Sequence, residues 1–382
     1  MLLIFSSFSV HLRLKAMAAH WGFPFLNNMN AFRGGLRACF PSSKLLSLPP
    51  SPRFLKTILK KTIMKIISQQ EIKQLGITAK QCCDWIRESF SIKQAAQLPA
   101  KISCHPADMD FFTSMPCLLP EDAEGNRFFG VKEVHRIKGA VPSLGSDMLL
   151  YDAKTGELLA LMDTDWITTM RTGAVAAVSA KALRKEGGRT YGFVGLGNTA
   201  RATMLCVLED EPEQHFEVQL LRYKDQAELF VDRFASYPNV HFTIVDNIVE
   251  MARSVDVFIS CITDANGLLI DDERVFRPGV TVIPVHMRGL QVCDTTFDRV
   301  FGDDTDHVKG FKYFPQFHDY NEIGEVLAGR DPGRKSPTQR IIDYNYGLAL
   351  HDVLYASKIY ALLKDKATTE VEIQKETEKF WV

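Results

Sequence analysis

The stretch that most constrains this fold is a glycine turn. Tyr191-Gly192-Phe193-Val194 is a short apolar run, Gly195-Leu196-Gly197-Asn198-Thr199-Ala200 follows it, and a helix-compatible segment continues over 200–209. Gly195 permits a tight bend out of a strand. Gly197 lets the backbone approach a pyrophosphate with no Cβ in the way, and Ala200 is small enough for a helix to lie against a sheet. The free N–H groups of that helix's first turn would face the phosphates. Taken alone, G-x-G-x-x-A fits an ordinary strand-to-helix turn as well. The downstream pattern decides: residues 218–221, 240–245, 255–260 and 280–284 are β-rich runs separated by helix-length segments. That alternation is what a doubly wound parallel sheet requires.

Ahead of the turn the pattern changes. Thr78 is a candidate N-cap, and Cys82, Ile86 and Phe90 recur at helical spacing behind it. Residues 128–134 read as a strand carrying Lys132, and 148–151 and 158–162 flank Asp152-Ala153-Lys154-Thr155-Gly156, a hairpin turn. Thr164-Asp165 opens a long helix to Lys185 whose body, Met170-Arg171-Thr172-Gly173-Ala174-Val175-Ala176-Ala177, is small-sided and suited to close packing. Arg171 in that setting fits a guanidinium folded over the helix surface as readily as a functional group. With 382 residues the chain is long enough for two domains with their own cores.

The N-terminal segment departs from the rest. No Asp or Glu occurs before Glu71, and nine of the 45 Lys/Arg precede Met64. Such an acid-free stretch reads either as an organellar targeting segment or as translated upstream sequence ahead of a start at Met64. We take the second reading, and in both cases residues 1–63 are expected to be disordered and outside the fold. Without them 36 Lys/Arg face 46 Asp/Glu, a net charge of −10 that gives no reason to expect nucleic-acid binding. No apolar run has the length of a membrane span. Eight cysteines without a C-x-x-C or a His/Cys cluster suggest buried thiols in a reducing compartment, neither a metal site nor a disulfide framework.

With Arg171-Thr172-Gly173-Ala174, the 195–200 turn and Gly324-Glu325-Val326…Gly329…Pro332-Gly333-Arg334 on the page, the chain resembles the ornithine cyclodeaminase/mu-crystallin family over residues 64–363. The resemblance implies an α/β protein with a Rossmann-type doubly wound parallel sheet, residues 187–304. That sheet would be inserted into an α+β substrate-binding and dimerisation domain, residues 64–186 plus 305–363, followed by a charged, solvated tail, 364–382. It implies a homodimer and a nicotinamide dinucleotide in the cleft between domains. The location expected is cytoplasmic, or organellar if residues 1–63 are a transit peptide.

The same resemblance assigns roles. Lys101, Lys132 and Arg171 would converge on a substrate α-carboxylate, Arg171 bidentately. Ser143 and Thr172 match positions near the cofactor, Asn198 and Thr199 lie in the phosphate turn, and Thr263 matches a threonine beside the dinucleotide. Val285 would lie against the nicotinamide, and Asn345-Tyr346 would close over the substrate. Two departures stand out. Where ornithine cyclodeaminases carry an acid/base aspartate, this chain has Arg288, which cannot accept a proton near neutral pH. His286 or Lys132 would then carry the proton, and Arg288 would select substrate by repelling an ammonium and attracting a second carboxylate. At the end of the second strand of the sheet, Leu221-Arg222-Tyr223-Lys224-Asp225 offers cations where an acid would bind the ribose of NAD, tilting the expectation from NAD toward NADP. The reading is an NAD(P)-dependent oxidoreductase acting at the Cα–N bond of an amino or imino acid. The alternatives are ornithine cyclodeamination to proline and ammonia, and a non-catalytic dinucleotide- and small-molecule-binding protein.

Overall fold

The structure, a computed structural model, describes residues 59–263, 265, 267–366 and 369–377. The readings made for residues 1–58 and 378–382 lie outside the described residues. β1 (Leu59–Ile67) leads into α1 (Gln69–Gln74) and α2 (Ala79–Ile92). Both helices begin on capping boxes, Ser68 with Glu71 and Thr78 with Gln81, which satisfy otherwise orphaned N–H groups. β2 (Ile102–Cys104), β3 (Phe111–Leu118), β4 (Phe128–Arg136), β5 (Leu144–Asp152) and β6 (Leu158–Asp163) follow as an antiparallel meander. At the β5–β6 turn the Asp152 carboxylate accepts the N–H groups of Lys154 and Thr155 at 2.7 and 3.1 Å.

α3 (Asp165–Leu183) carries the chain to a second sheet. That sheet is built from β7 (Thr190–Val194), α4 (Asn198–Asp210), β8 (Phe216–Leu221), α5 (Gln226–Arg233), β9 (Val240–Val245), α6 (Ile248–Ser254) and β10 (Val257–Ser260). It continues through β11 (Thr281–Pro284), β12 (Arg299–Gly302), α7 (Thr305–Val308), β13 (Asn321–Glu322), α8 (Ile323–Leu327) and β14 (Ile341–Tyr344). Its order is β13-β12-β14-β11-β10-β7-β8-β9, with every pairing parallel. Strand order reverses between β7 and β10. In open α/β sheets that reversal opens a crevice at the strands' C-terminal ends. α9 (Ala349–Leu363) and β15 (Thr369–Glu376) then return to the first sheet, whose order is β15-β1-β6-β5-β4-β3-β2.

Three boundaries differ from the sequence reading. The first strand begins at Leu59, so 59–63 belong to the fold and Met64 sits inside β1. β13 and β14 extend the parallel sheet to Tyr344, beyond the boundary expected at 304. The charged tail is exposed over 369–376, but it forms a strand there: β15 pairs antiparallel with β1 along its whole length. Charge complementarity explains that pairing, because Lys65 meets Glu370 at 2.9 Å and Lys61 meets Glu372 at 3.0 Å.

α3 is the central packing element. A Cβ at Gly173 would lie 2.6 Å from the backbone of Ala202 and Thr203, so the approach of α3 to α4 is set by that glycine. α9 lies on β4 in the same way, with a Cβ at Gly130 only 2.6 Å from Val353. The second contact places the helix that carries Asp352 beside the strand that carries Lys132. Among the described residues no helix is long and apolar enough to cross a membrane, and six of the seven described cysteines are buried.

Candidate active site

The inner face of β4 turns Lys132 inward, α3 presents Arg171, and the first turn of α9 presents Asp352. One oxygen, Asp352 Oδ1, accepts from Lys132 Nζ at 2.7 Å and from Arg171 Nε at 3.0 Å. Lys132 and Asp352 have no exposed surface and Arg171 is nearly buried. Burial pushes the Asp352 carboxyl up, but Arg171 and Lys132 outweigh it and hold the group below the usual carboxylate range. Burial, then Arg171, pull Lys132 down to about 8 against the attraction of Asp352. Among the described residues, Asp352 Oδ2 has no hydrogen-bond partner. Sequence analysis missed Asp352. Its signal was an acid inside the apolar run Leu348-Ala349-Leu350-His351-Asp352-Val353-Leu354, with two cations elsewhere in apolar elements.

The loop after β14 joins this cluster to Lys101. Lys101 Nζ donates to the Tyr346 carbonyl at 3.0 Å and sits 3.3 Å from the centroid of the Tyr346 ring. Burial pulls the Lys101 ammonium down to about 7, with Asp303 opposing and Arg171 adding to the effect. Asp303, at the end of β12, accepts the Gly347 N–H at 2.6 Å. Gly347 is required twice over: its φ is +87°, and a Cβ there would lie 2.6 Å from a terminal nitrogen of Arg171. Tyr346 therefore lies against Lys101. Asn345 does not: it is buried, and its amide donates to Asp343 at 2.8 Å and to Ser179 at 3.4 Å.

The glycine turn has the form a dinucleotide phosphate needs. Gly195 has φ +79°, and a Cβ there would meet the Cys261 backbone at 2.9 Å, whereas a Cβ at Gly197 would meet nothing within 4 Å. Gly197 and Asn198 are exposed, Thr199 is half-buried and Ala200 is buried against the sheet. Among the described residues no side chain caps the N-terminus of α4, so its first N–H groups are available to phosphate oxygens. Thr263 is exposed beyond β10, and Val285 is buried at the end of β11. Ser143 lies exposed in the β4–β5 loop, and the Thr172 hydroxyl donates back to the Thr168 carbonyl at 2.6 Å. Arg222 is exposed at the end of β8. Its guanidinium is shared between Asp246, at 2.9 Å, and Glu228.

His286 and Arg288 follow β11. Burial, then Arg136, Arg171 and Arg288, pull His286 down to about 4, so it is a neutral imidazole among cations at neutral pH. Arg288 is exposed, with a terminal nitrogen 3.5 Å from the Thr263 carbonyl. Arg136, which sequence analysis also missed, sits on the same face of β4 as Lys132, two pleats along. The K-x-x-x-R spacing within a strand was its signal.

The sequence profile of the ornithine cyclodeaminase/mu-crystallin family matches residues 61–367. The Δ1-pyrroline-2-carboxylate reductase of Colwellia psychrerythraea is 27% identical over 320 residues, 79% of this chain and 100% of that protein. The solved structure of the Thermococcus litoralis Δ1-pyrroline-2-carboxylate reductase, in complex with NADH and L-proline, superposes with a TM-score of 0.70 at 22% identity, over 81% of this chain and 100% of that one. The Paracoccus denitrificans iminosuccinate reductase, in complex with NAD+, gives a TM-score of 0.67 at 20% identity, over 82% of this chain and 100% of that one. At these identities the two structures establish a shared fold.

Proposed function

The chain belongs to the ornithine cyclodeaminase/mu-crystallin family, and we propose that, as a dinucleotide-dependent oxidoreductase of that family, it acts at the carbon–nitrogen bond of an amino or imino acid. The observation that carries this reading is the buried Lys132–Asp352–Arg171 cluster beside the open glycine turn. Arg171, with Lys101, binds the substrate α-carboxylate. Asp352 fixes the orientation of Arg171 and keeps Lys132 charged. The turn at Gly195, Gly197, Asn198 and Thr199 holds the pyrophosphate, with Thr263, Val285, Ser143 and Thr172 bordering the rest of the dinucleotide. When bound, the nicotinamide takes or returns a hydride.

The proton on the substrate nitrogen falls to Lys132. Its amine, pulled down to about 8, exchanges a proton near neutral pH, whereas His286 at about 4 is too weak a base to retain one. Arg136, Arg171 and Arg288 all act on His286, so the substrate side of the cleft is cationic. That favours an imino acid with a second carboxylate and disfavours the δ-ammonium of ornithine. Arg222 is shared by two carboxylates, so we read NAD and NADP as nearly equivalent cofactors. We assign the active form to a homodimer and the location to the cytoplasm; the exposed Ile66, Ile102 and Phe112 all lie on the outer face of the first sheet, the surface a second copy would cover.

The test is nicotinamide absorbance with NADH and NADPH against Δ1-pyrroline-2-carboxylate, and against oxaloacetate, pyruvate and 2-oxoglutarate with ammonia. Proline and ammonia are assayed separately with ornithine, because cyclodeamination has no net redox. Turnover of imino acids is expected, fastest with a dicarboxylic one. Arg171→Ala should lose about 2–4 kcal/mol of transition-state stabilisation on every substrate. Arg288→Asp should weaken the acidic substrates selectively. Dinucleotide binding without turnover of any of these compounds would leave a binding protein and end the enzymatic reading.

A further inference from the structure

Lys132 has no solvent-exposed surface, yet the function proposed above asks it to gain and lose a proton in every cycle. The cluster around it offers no way out on the substrate side, since Asp352 is equally buried and a guanidinium carries only donors. A continuous row of polar atoms does run the other way. Lys132 Nζ lies 3.3 Å from Thr168 Oγ1, Thr168 Oγ1 lies 2.9 Å from Ser146 Oγ, and Ser146 Oγ donates to Asp165 Oδ1 at 3.2 Å. Thr168 and Ser146 are buried, and Asp165 is half-buried at the start of α3.

From these contacts we infer that Thr168, Ser146 and Asp165 form a proton relay that recharges the buried Lys132 through the first domain, away from the substrate mouth. While Lys132 is charged, the row has one consistent sense. The lysine N–H donates to the threonine oxygen, the threonine O–H to the serine oxygen, and the serine O–H to the carboxylate. Each hydroxyl accepts one hydrogen bond and passes one on, as proton transfer along a chain requires. When Lys132 has given a proton to the substrate nitrogen, its amine becomes an acceptor and both hydroxyls turn to the reverse sense, so that the Thr168 O–H points at Nζ and breaks as a new Lys132 N–H bond forms. Ser146 then restores Thr168, Asp165 restores Ser146, and solvent protonates Asp165. One proton enters and none accumulates.

Local structure holds the row in place. Ser146 stands opposite Val134 in the β4–β5 register, two residues from Lys132 and on the same face. Thr168 is one turn into α3 behind Asp165, so both side chains look down on that face. The Ser146 N–H also donates to Asp165 Oδ1, at 2.7 Å, which fixes the carboxylate at the end of the chain. Asp163 and Asp147, opposite each other in the β5–β6 register, surround the outlet with negative charge. Burial, together with those neighbours and against the Ser146 hydrogen bonds, raises the Asp165 carboxyl above its ordinary range, which suits a group that must hold a proton briefly.

The inference rests on the oxidoreductase reading for its purpose, but its test does not. In the full chain labelled with 15N-lysine, with NADH present, the exchange of the Lys132 ammonium protons with solvent is followed by NMR, the signal being assigned by its loss in Lys132→Met. Ser146→Ala and Thr168→Val should slow that exchange by about tenfold or more, the scale of a lost proton-transfer group, and Ser146→Thr should restore it. Asp165→Asn keeps an oxygen for the Ser146 hydrogen bonds but removes the carboxylate that takes up the proton, and should slow exchange without loss of fold. Rates equal to wild type in these variants would overturn the relay. Slowed exchange in a protein that turns over no imino acid would keep the relay and remove the proposed function. With turnover, the same variants should lower kcat and alter its solvent deuterium isotope effect while leaving KM in place.

Discussion

Lys132 and Asp352 lie 220 positions apart in the chain, yet Nζ and Oδ1 meet at 2.7 Å with neither side chain exposed. The same carboxylate oxygen holds Arg171. Two buried cations on one buried acid make Asp352 the electrostatic centre of the site. Asp352→Ala should destabilise the protein by about 3–5 kcal/mol, because it strands two charges rather than merely deleting one pair. Urea unfolding measures this. A change below about 1 kcal/mol, the worth of an exposed pair, would mean that the cluster is solvated in solution.

The two glycines of the turn should fail in different ways. Gly195→Ala forces a Cβ onto the Cys261 backbone at φ +79° and should cost about 2 kcal/mol or more of stability. Gly197→Val places its Cβ in open space at an ordinary φ of −76°. Its melting temperature should stay near wild type, while the Kd for NADH rises by about a hundredfold or more as the pyrophosphate is displaced. Thermal unfolding and NADH fluorescence titration separate the two effects. Retained NADH affinity in the valine variant would place the dinucleotide elsewhere.

Arg222 sets the cofactor preference only weakly, because Asp246 and Glu228 already share its charge. The kcat/KM values for NADH and NADPH should fall within about tenfold of one another, equivalent to about 1.4 kcal/mol. Arg222→Asp should lower NADPH use by about a further tenfold and leave NADH use nearly unchanged. A wild-type preference for either cofactor above about a hundredfold would assign that choice to other residues.

Asp343 gives the fold a pH dependence of known sign. Burial lifts its carboxyl to about 7, against hydrogen bonds from Ser179 and Asn345 and with Asp303 adding to the shift. The folded protein therefore holds a proton that the unfolded chain, with a value of about 3.9, releases. Its contribution to stability is whole below about pH 4, is lost as pH rises toward about 7, and is constant above that. Asp343→Asn should remove this loss and gain about 1–4 kcal/mol on wild type between those limits. Urea unfolding across the range tests it, and parallel curves for the two proteins would show that Asp343 is ionised throughout.

Local chemistry was legible in the sequence, and so was the class of fold. The turn from Gly195 to Ala200 could be read because glycine and alanine are required there by backbone geometry alone. The helix start at Thr78 and the hairpin at Asp152 could be read because caps and turns involve residues only two or three apart. β-rich runs separated by helix-length segments identified the parallel sheet. Pairings that span the chain could not be read this way. The pairing of β15 with β1 was missed because its charges are balanced by lysines some 300 positions earlier. Asp352 in its apolar run and Arg136 in its K-x-x-x-R spacing left only faint local signals, and Asp352 matters through Lys132 and Arg171, which the tertiary packing brings to it. Arg171 illustrates the division. Its sequence setting suited a surface guanidinium as well as a buried one, and what decided between them was a carboxylate on another helix, since a charge leaves water only where an opposite charge is already waiting.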